Sequence, residues 1–338
     1  MRLSNVGELS LLKEIRDRFR KRRKGLIKGI GDDAAVIAPF NDNLLLTSDM
    51  MVEGVHFDLS FMTPYQLGYK IVSVNVSDIY AMAGKPEYLL LDLAMKKETD
   101  IEFVNDFFRG LKRALDDYDV VIVGGDLSAS IGGIIISATI IGKGNTPLFR
   151  SGARPKDRIY VSGYLGDSAC GLEILKRLKK TVPLEDKERL RKEFKYIKKG
   201  LSHLGLKWED VRPLIKKHLF SKVYRYNIKS VTAMMDISDG LFIDLTRLCD
   251  ESKVGARIYL GKLPLSRALK KACSILDLDP YRLATTGGED YELLFTAPPG
   301  SIGIDAFCIG EITKEERSFV DKIGVERPLT PLGYEHWH

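Results

Sequence analysis

The chain has 338 residues, a length that exceeds the usual single hydrophobic core and favours two domains. Its hydrophobic content of 44% and its charged content of 29% are typical of a globular protein and argue against a disordered or fibrous one. The net charge of +6 is mild, and many lysines and arginines fall in runs typical of solvated helix faces, so nucleic-acid binding is not favoured.

Cysteine usage and hydropathy indicate the compartment. The chain has no C-x-x-C pair, and its cysteines are widely spaced: Cys170, Cys249, Cys273 and Cys308. This spacing predicts reduced thiols and argues against a disulfide framework or a zinc site. The most apolar run, GGIIISATIIG at 132–142, is too short to cross a bilayer, and the N-terminus lacks a long apolar segment. We therefore expect a soluble, cytoplasmic protein that does not bind membranes.

The first 150 residues alternate between strand-like and helix-like segments. The run NLLLTSDMM predicts a strand with an acidic tip, and the segment 63–84 predicts a helix that Thr63 caps, with Pro64 at its first position. A second helix begins near Ile101 because apolar residues repeat there at three and four positions. The strand DVVIV, the turn GGDLS and the strand at 132–142 are expected to follow.

Near Arg150 the sequence RSGARPKDR is basic and contains Gly and Pro, which favours a domain boundary. The segment 158–178 then predicts a strand, a Gly-rich turn and a helix, an arrangement that can present backbone N–H groups to a phosphate. The charged segment from about 179 to 217 is helical in pattern and is most simply an inserted, solvated helical pair. Two acidic turns beside strands follow, in TAMMDISDGL and TTGGEDYELLFTA.

Acidic residues recur beside Gly, Ser or Thr at the edges of apolar segments. The set comprises Asp32, Asp33, Asp49, Asp78, Asp126, Asp236, Asp239, Glu289 and Asp290. One such residue is usually a turn or helix cap. Their repetition in a chain with 5 histidines favours oxygen ligands for hard divalent cations, Mg²⁺ above all. The pattern therefore predicts a site with several Mg²⁺ ions that handles a phosphorylated substrate or a nucleotide.

A nucleotide would be held in an unusual way, because the P-loop and protein-kinase motifs are absent from the sequence. Metal ions, Gly-rich turns such as VGGD and a cation such as Arg150 would have to bind it.

The motifs occur in one order over nearly the whole chain: GIGDDAAV, TSDMMVEGVHF, VNVSDIYAMAG, VGGDLS, FRSGARPKDRIYVSGYLGDSACGL, MMDISDGL and TTGGEDYELLF. In this combination the sequence resembles the thiamine-monophosphate kinases of the aminoimidazole ribonucleotide synthetase superfamily. TSDMMVEGVHF together with GGEDYELLF separates this family from its relatives.

The resemblance implies an α/β plus α+β fold of the aminoimidazole-ribonucleotide-synthetase type. An N-terminal α/β domain, residues 1–150, would bind metal and nucleotide and pair its strands across a homodimer. A C-terminal α+β domain, residues 151–338, would carry the charged helical insertion. The implied reaction is direct in-line transfer of the γ-phosphoryl group of ATP to thiamine monophosphate, assisted by several Mg²⁺ ions, as the last step of thiamine diphosphate biosynthesis.

Residue by residue, the resemblance implies three sets of contacts. The magnesium positions are matched by Asp33, Thr47, Ser48, Asp49, Asp78, Asp126, Asp236 and Asp239. The ATP positions are matched by Gly125, Asp126, Arg150 and Ser238. The positions facing thiamine monophosphate are matched by His56, Glu289 and Tyr334. Asp49, Asp78, Asp126 and Asp239 are the expected catalytic set, while Asp32 would support Asp33 or cap its turn.

Other interpretations stay open. His56 could be a packed histidine, Glu289 could cap a turn, and KKHLFSKVYRY stands where the family has a P-x-P-R-like stretch. Another ATP-dependent superfamily member is the second hypothesis. A selenophosphate synthetase would have a reactive Cys near its N-terminus and a hydrogenase-maturation dehydratase a C-terminal cysteine, whereas the first cysteine here is Cys170 and the chain ends in GYEHWH. A non-catalytic cation- or nucleotide-binding module is the third.

Overall fold

The computed structural model describes residues 2–31, 34–226, 230–301 and 306–336. The chain divides into two compact units. The N-terminal unit comprises Met1–Tyr80, Gly84–Pro147 and Lys180–Lys187. The C-terminal unit comprises Ala81–Ala83, Leu148–Lys179 and Glu188–His338. Within the described ranges, no helix is both long and apolar enough to span a membrane.

The N-terminal unit contains a four-stranded sheet in the order β3-β6-β4-β5, with β3 at one edge. The strands of the whole unit are β1 (Leu26–Lys28), β2 (Val36–Ile37), β3 (Asn43–Val52), β4 (Lys85–Met95), β5 (Val121–Ala129) and β6 (Ile135–Gly144). Its helices are α1 (Leu3–Val6), α2 (Glu8–Phe19), α3 (Pro64–Ala81) and α4 (Ile101–Asp117). β6 pairs antiparallel with both β3 and β4, whereas β5 runs parallel to β4.

Helix α3 confirms its predicted caps. The hydroxyl of Thr63 accepts the backbone N–H of Gln66 at 3.3 Å, and Pro64 occupies the first position, where its missing N–H costs nothing. Leu67 and Ile71, one helical turn apart on the same face, are fully buried. The helix is therefore held along its apolar stripe, and this fixes the side chains near its C-terminal end.

The expected turn GGDLS is instead part of strand β5, so that prediction was wrong. Gly125 lies opposite Leu91 of the parallel strand β4. A Cβ atom at Gly125, whose φ is +142°, would lie 1.8 Å from the carbonyl oxygen of Leu91. Two glycines usually indicate a turn, but here they allow one strand to approach its neighbour too closely for any side chain.

The C-terminal unit contains a seven-stranded sheet in the order β13-β12-β9-β11-β7-β10-β8. Its strands are β7 (Arg158–Val161), β8 (Ala233–Asp236), β9 (Gly255–Tyr259), β10 (Leu293–Ala297), β11 (Phe307–Thr313), β12 (Arg317–Val320) and β13 (Glu326–Pro328). Its helices are α5 (Asp167–Leu178), α6 (Lys187–His203), α7 (Trp208–Phe220), α8 (Leu241–Ser252), α9 (Arg267–Leu276) and α10 (Pro280–Thr286), with a 3₁₀ turn at Leu260–Lys262. Only the pairing of β12 with β9 is parallel among the described strands of this sheet.

The charged segment forms two helices, but only the first fits the expectation of a solvated pair. Helix α6 buries Ile197 and Leu201 alone among its apolar residues. Helix α7 packs against α5 and α9 and buries a full stripe: Val211, Leu214, Ile215, His218 and Leu219. These residues recur at three and four positions, so an amphipathic face was present among the lysines that dominated the composition.

Candidate active site

In the N-terminal unit, two predicted metal ligands of β3 share one face of the strand. Successive side chains point to opposite faces, so Thr47 and Asp49 lie on the face that also carries the buried Leu45 and Met51. The Thr47 hydroxyl donates a hydrogen bond of 2.5 Å to Oδ2 of Asp78 on helix α3. The structure therefore brings Thr47 and Asp78 together.

Ser48 lies on the other face of the same strand. Its hydroxyl donates to the carbonyl oxygen of Ala138 at 3.2 Å and accepts from the hydroxyl of Thr139 at 3.0 Å. Both partners belong to the neighbouring strand β6. Within the sheet, Ser48 thus stabilises the pairing of β3 with β6.

The sheet register also places Asp126 on this outer face. Asp126 is opposite Asp92, Asp92 is opposite Ser137, and Ser137 is opposite Met50. Residues that are directly opposite point to the same side, so Asp126 shares the side of Met50 and not that of Asp49. Asp126 is exposed there, next to Gly125, whose φ of +142° favours glycine.

His56 lies in the turn that follows β3. Its ring Nδ1 accepts the backbone N–H of Val52 at 3.0 Å. The backbone N–H of His56 donates to the carbonyl oxygen of Val52 at 2.9 Å. Because Nδ1 accepts, the neutral ring carries its proton on Nε2, an assignment that follows from this partner. The predicted ligand Asp33 and its neighbour Asp32 lie outside the described residues.

In the C-terminal unit, the loop after β8 is held by a carboxylate that the sequence interpretation missed. Oδ2 of Asp244 accepts the backbone N–H groups of Ser238, Asp239 and Gly240 at 3.1, 3.0 and 3.1 Å. Asp244 is fully buried. The one available signal was an acidic residue in the first turn of a helix, where a carboxylate is favourable.

Arg247 completes this anchor. Its Nη1 lies 2.5 Å from Oδ2 of Asp239 and 2.8 Å from Oδ1 of Asp244. Burial raises the pKa of Asp244, and the N–H of Asp239 and the Arg247 guanidinium offset only part of that effect. The predicted metal ligand Asp239 therefore already has a cationic partner. A metal ion would have to displace Arg247 or share the Asp239 carboxylate with it.

Three segments that carry predicted site residues meet at this loop. The N–H of Glu289 donates to the carbonyl oxygen of Ser238 at 2.7 Å, and the N–H of Tyr334 donates to that of Asp239 at 2.9 Å. The N–H of Tyr291 donates to Ile237 at 2.9 Å. The DISDG, GGEDY and GYEH motifs are thus adjacent, although the chain separates them widely.

The GGEDY turn is strained and rests on a buried polar base. Glu289 has a φ of +65° and Tyr291 a φ of +48°, values that residues other than glycine rarely adopt. The fully buried Asp290 accepts the backbone N–H groups of Gly166 at 2.6 Å and Ser168 at 3.1 Å, at the start of helix α5. Burial raises the pKa of Asp290 to about 7, against the opposing effect of Lys217.

Hydrogen bonds connect the segment at Arg150 to strand β8, which ends at Asp236. The N–H of Met234 in β8 donates to the carbonyl oxygen of Phe149 at 2.8 Å, and the hydroxyl of Ser252 donates to that of Arg150 at 2.8 Å. The backbone at Phe149 and Arg150 is therefore tied to β8 and α8. The Arg150 residue is exposed, whereas Asp236 at the end of β8 is buried.

The predicted metal ligands are divided between the units. Across residues 2–31, 34–226, 230–301 and 306–336, no group of three or more His, Cys, Asp or Glu side chains is arranged to hold a metal ion. The N-terminal unit supplies the pair Thr47 and Asp78 together with Asp49 on the same face. The C-terminal unit supplies Asp236 and Asp239.

Family models match both halves of the chain. The AIR synthase related protein, N-terminal domain, matches residues 31–143, and the AIR synthase related protein, C-terminal domain, matches residues 207–322. Together with the mixed helix and sheet content of each unit, these matches confirm the predicted fold class.

Individual relatives are similar over the full length. The thiamine-monophosphate kinase of Aquifex aeolicus is 37% identical over 100% of this chain and 100% of its own. The solved structure of AaThiL complexed with AMPPCP and TMP has a TM-score of 0.73 and 34% identity, covering 100% of this chain and 99% of that one. A hydrogenase maturation protein, HypE in complex with ATP, has a TM-score of 0.68 at 20% identity over 99% and 98%, a likeness that shows the fold alone.

Proposed function

The chain belongs to the thiamine-monophosphate kinase family, and on that premise we propose that it transfers the γ-phosphoryl group of ATP to thiamine monophosphate. The products are thiamine diphosphate and ADP, so the reaction is the last step of thiamine diphosphate biosynthesis. The family assignment confirms the resemblance that the motifs indicated. The observation that carries the proposal is a full-length relative of that name at 37% identity, supported by similarity to a structure that holds AMPPCP, an analogue of ATP, and TMP.

The residues fit Mg²⁺ ions by their donor chemistry, since every predicted ligand offers oxygen. In the N-terminal unit Thr47, Asp49 and Asp78 would hold them on one face of the sheet and Ser48 and Asp126 on the other, together with Asp33. In the C-terminal unit Asp236 and Asp239 would hold them. The short hydrogen bond from Thr47 to Asp78 supports this assignment because it aligns two of these oxygens on one face. Bound Mg²⁺ would neutralise the phosphate oxygens of both substrates.

The chain's own residues mainly position the two substrates and neutralise their charge. The attacking phosphate oxygen of thiamine monophosphate is anionic near neutral pH, so no strong general base is needed, and transfer is direct and in line. Arg150, Ser238 and the backbone at Gly125 and Asp126 would contact ATP. His56, Glu289 and Tyr334 would face the thiamine monophosphate. Asp244 supports the role of Ser238 by fixing the backbone of its loop.

The protein would act as a homodimer through the outer face of β3. This edge strand exposes a row of large apolar side chains: Leu44, Leu46 and Met50, which are 54%, 65% and 56% exposed. Such an edge promotes association unless it is covered. Because Asp126 is on the same side of the sheet, a second copy paired there would lie beside a predicted ATP contact.

The remaining assignments concern organisation and compartment. Residues 1–150 would form the metal- and nucleotide-binding, dimerising domain, and residues 151–338 the second domain with its helical insertion. A cytoplasmic location is supported by the four cysteines, which are all unpaired thiols. The cytoplasm also provides the ATP that the reaction consumes.

The test combines purified protein with ATP, Mg²⁺ and thiamine monophosphate and follows the products by chromatography. We expect equal amounts of thiamine diphosphate and ADP, loss of both in Asp49→Ala, and normal turnover in the control Asp116→Ala, an exposed aspartate of α4. Binding of ATP without thiamine diphosphate would favour a non-catalytic module. Turnover of ATP with no thiamine product would favour another superfamily substrate.

A further inference from the structure

His218 is a buried histidine that no part of the proposed reaction uses. It lies in the last turn of α7 and is 3% exposed. Its Nδ1 lies 3.1 Å from Oε2 of Glu289 and 3.2 Å from the hydroxyl oxygen of Ser168. The ring therefore reaches the carboxylate that is proposed to face thiamine monophosphate.

The polarity of this contact follows from its partners. An ionised carboxylate can only accept hydrogen bonds, so the proton must lie on Nδ1 and the histidine donates to Glu289. The Ser168 hydroxyl, in the first turn of α5, lies within hydrogen-bonding distance of the same nitrogen. His218 thus links α5, α7 and the GGEDY turn at a single point.

Glu289 needs such external support because its own backbone is strained. Its φ of +65° is a conformation that surrounding contacts must impose on a residue with a side chain. Its N–H is fixed on the carbonyl oxygen of Ser238. The backbone contact sets where the residue is, but the direction of the carboxylate depends on what the side chain meets.

Close helix packing and an ion pair surround His218. Helices α5 and α7 touch at Gly171, where a Cβ atom would lie 2.2 Å from the carbonyl oxygen of Leu214. The neighbouring Lys217 forms an ion pair of 2.5 Å with Glu292, whose other oxygen accepts the Ser162 hydroxyl at 2.6 Å. The helix end and the turn are thus joined on both sides of the contact between His218 and Glu289.

We propose that His218 is a positioning residue that orients the Glu289 carboxylate toward the thiamine portion of the substrate. The thiazolium ring of that substrate is cationic, so a correctly directed carboxylate would attract it, while the ATP contacts would be unaffected. This inference rests on the proposed function. His218 falls in KKHLFSKVYRY, the stretch that departs from the family's pattern.

The first test compares His218→Leu, which keeps bulk but removes the donor, with His218→Asn, whose side-chain N–H₂ can take the place of Nδ1. We expect the KM for thiamine monophosphate to rise about 10-fold in His218→Leu, the loss typical of one hydrogen bond to a charged group. The KM for ATP should not change, and His218→Asn should restore most of the loss. His203→Ala, at an exposed histidine of α6, is the matched control.

A second test asks whether His218 acts through Glu289. If it does, the double variant His218→Leu with Glu289→Ala will have no higher KM for thiamine monophosphate than Glu289→Ala alone, because the pair forms one unit. Additive effects would overturn the inference. If His218→Leu does not fold, His218→Gln replaces it in both tests, since its longer side chain keeps the amide but displaces the donor.

The outcomes separate the two proposals. Absence of thiamine diphosphate from the wild-type protein would overturn the proposed function, and the inference with it. Wild-type turnover with an unchanged KM for thiamine monophosphate in the His218 variants would overturn the inference alone. An equal rise in the KM for ATP would also overturn it, because it would indicate general damage to the unit.

Discussion

Gly125 shows how a single residue can determine the shape of this site. Its φ of +142° and the 1.8 Å approach that a Cβ would make to Leu91 exclude any side chain. We expect Gly125→Ala to displace β5 from β4. The kcat/KM for ATP should fall at least about 10-fold, mainly because the KM for ATP rises. Gly132→Ala is the control, since a Cβ there meets nothing within 4 Å. Steady-state kinetics of both variants test this, and an unimpaired Gly125→Ala would contradict it.

Asp290 makes the stability of the folded protein depend on pH. Burial raises its pKa to about 7, above the ordinary value of 3.8. A carboxyl with a raised folded-state pKa contributes stability that is complete below its unfolded pKa and is lost as the pH rises through the folded one. The unfolding free energy of the wild type minus that of Asp290→Asn should therefore decrease from about pH 4 to about pH 8, because only the wild type loses this contribution. Urea unfolding of both proteins measures this difference, and an increase of the difference with pH would contradict the prediction.

The start of helix α8 organises the DISDG loop through one side chain. Asp244 accepts three backbone N–H groups and pairs with Arg247, so Asp244→Ala would remove the partner of all three N–H groups and leave Arg247 with Asp239 alone. We expect a loss of about 3 kcal/mol in unfolding free energy together with a large loss of activity. Glu251→Ala, at an exposed position of the same helix, should change stability by less than about 0.5 kcal/mol. Chemical denaturation of both variants tests this, and equal stabilities would contradict it.

At the scale of elements, periodicity and caps were sufficient for most of the secondary structure. Helix α3 begins where Thr63 and Pro64 predict, because these signals are local. The GGDLS segment was misassigned because close approach of a neighbouring strand requires glycine as much as a turn does. The expectation of a solvated α7 was wrong because the lysines that make 179–217 look charged lie mostly before this helix, while α7 itself carries an apolar stripe.

The site was predictable in its motifs but not in its supports. Asp239 and Glu289 follow from quoted motifs, and their loops are adjacent in the structure. Arg247 and His218 belong to no motif, and their contacts with these residues depend on helix packing that a local pattern does not contain. The outer-face position of Asp126 likewise depends on the register of four strands.

At the scale of the whole molecule, the exposed row on β3 predicts association. We expect the wild-type protein to sediment as a dimer and Leu46→Lys to sediment as a monomer, because the lysine would place a charge in the apolar interface. Ile323→Lys is the control, since Ile323 is 82% exposed in the C-terminal unit. Sedimentation velocity decides between them. A monomeric wild type, or a dimeric Leu46→Lys, would contradict the assignment of the interface.

We propose that the chain itself passes a phosphoryl group from ATP directly to thiamine monophosphate. The most direct measurement is a rapid-quench single turnover with ATP labelled in its γ-phosphate, in the presence of Mg²⁺ and thiamine monophosphate. Direct transfer predicts that the label appears in the terminal phosphate of thiamine diphosphate and that none is bound to protein at any time. Label found on the protein would contradict direct transfer. Label found only in inorganic phosphate would contradict the kinase activity.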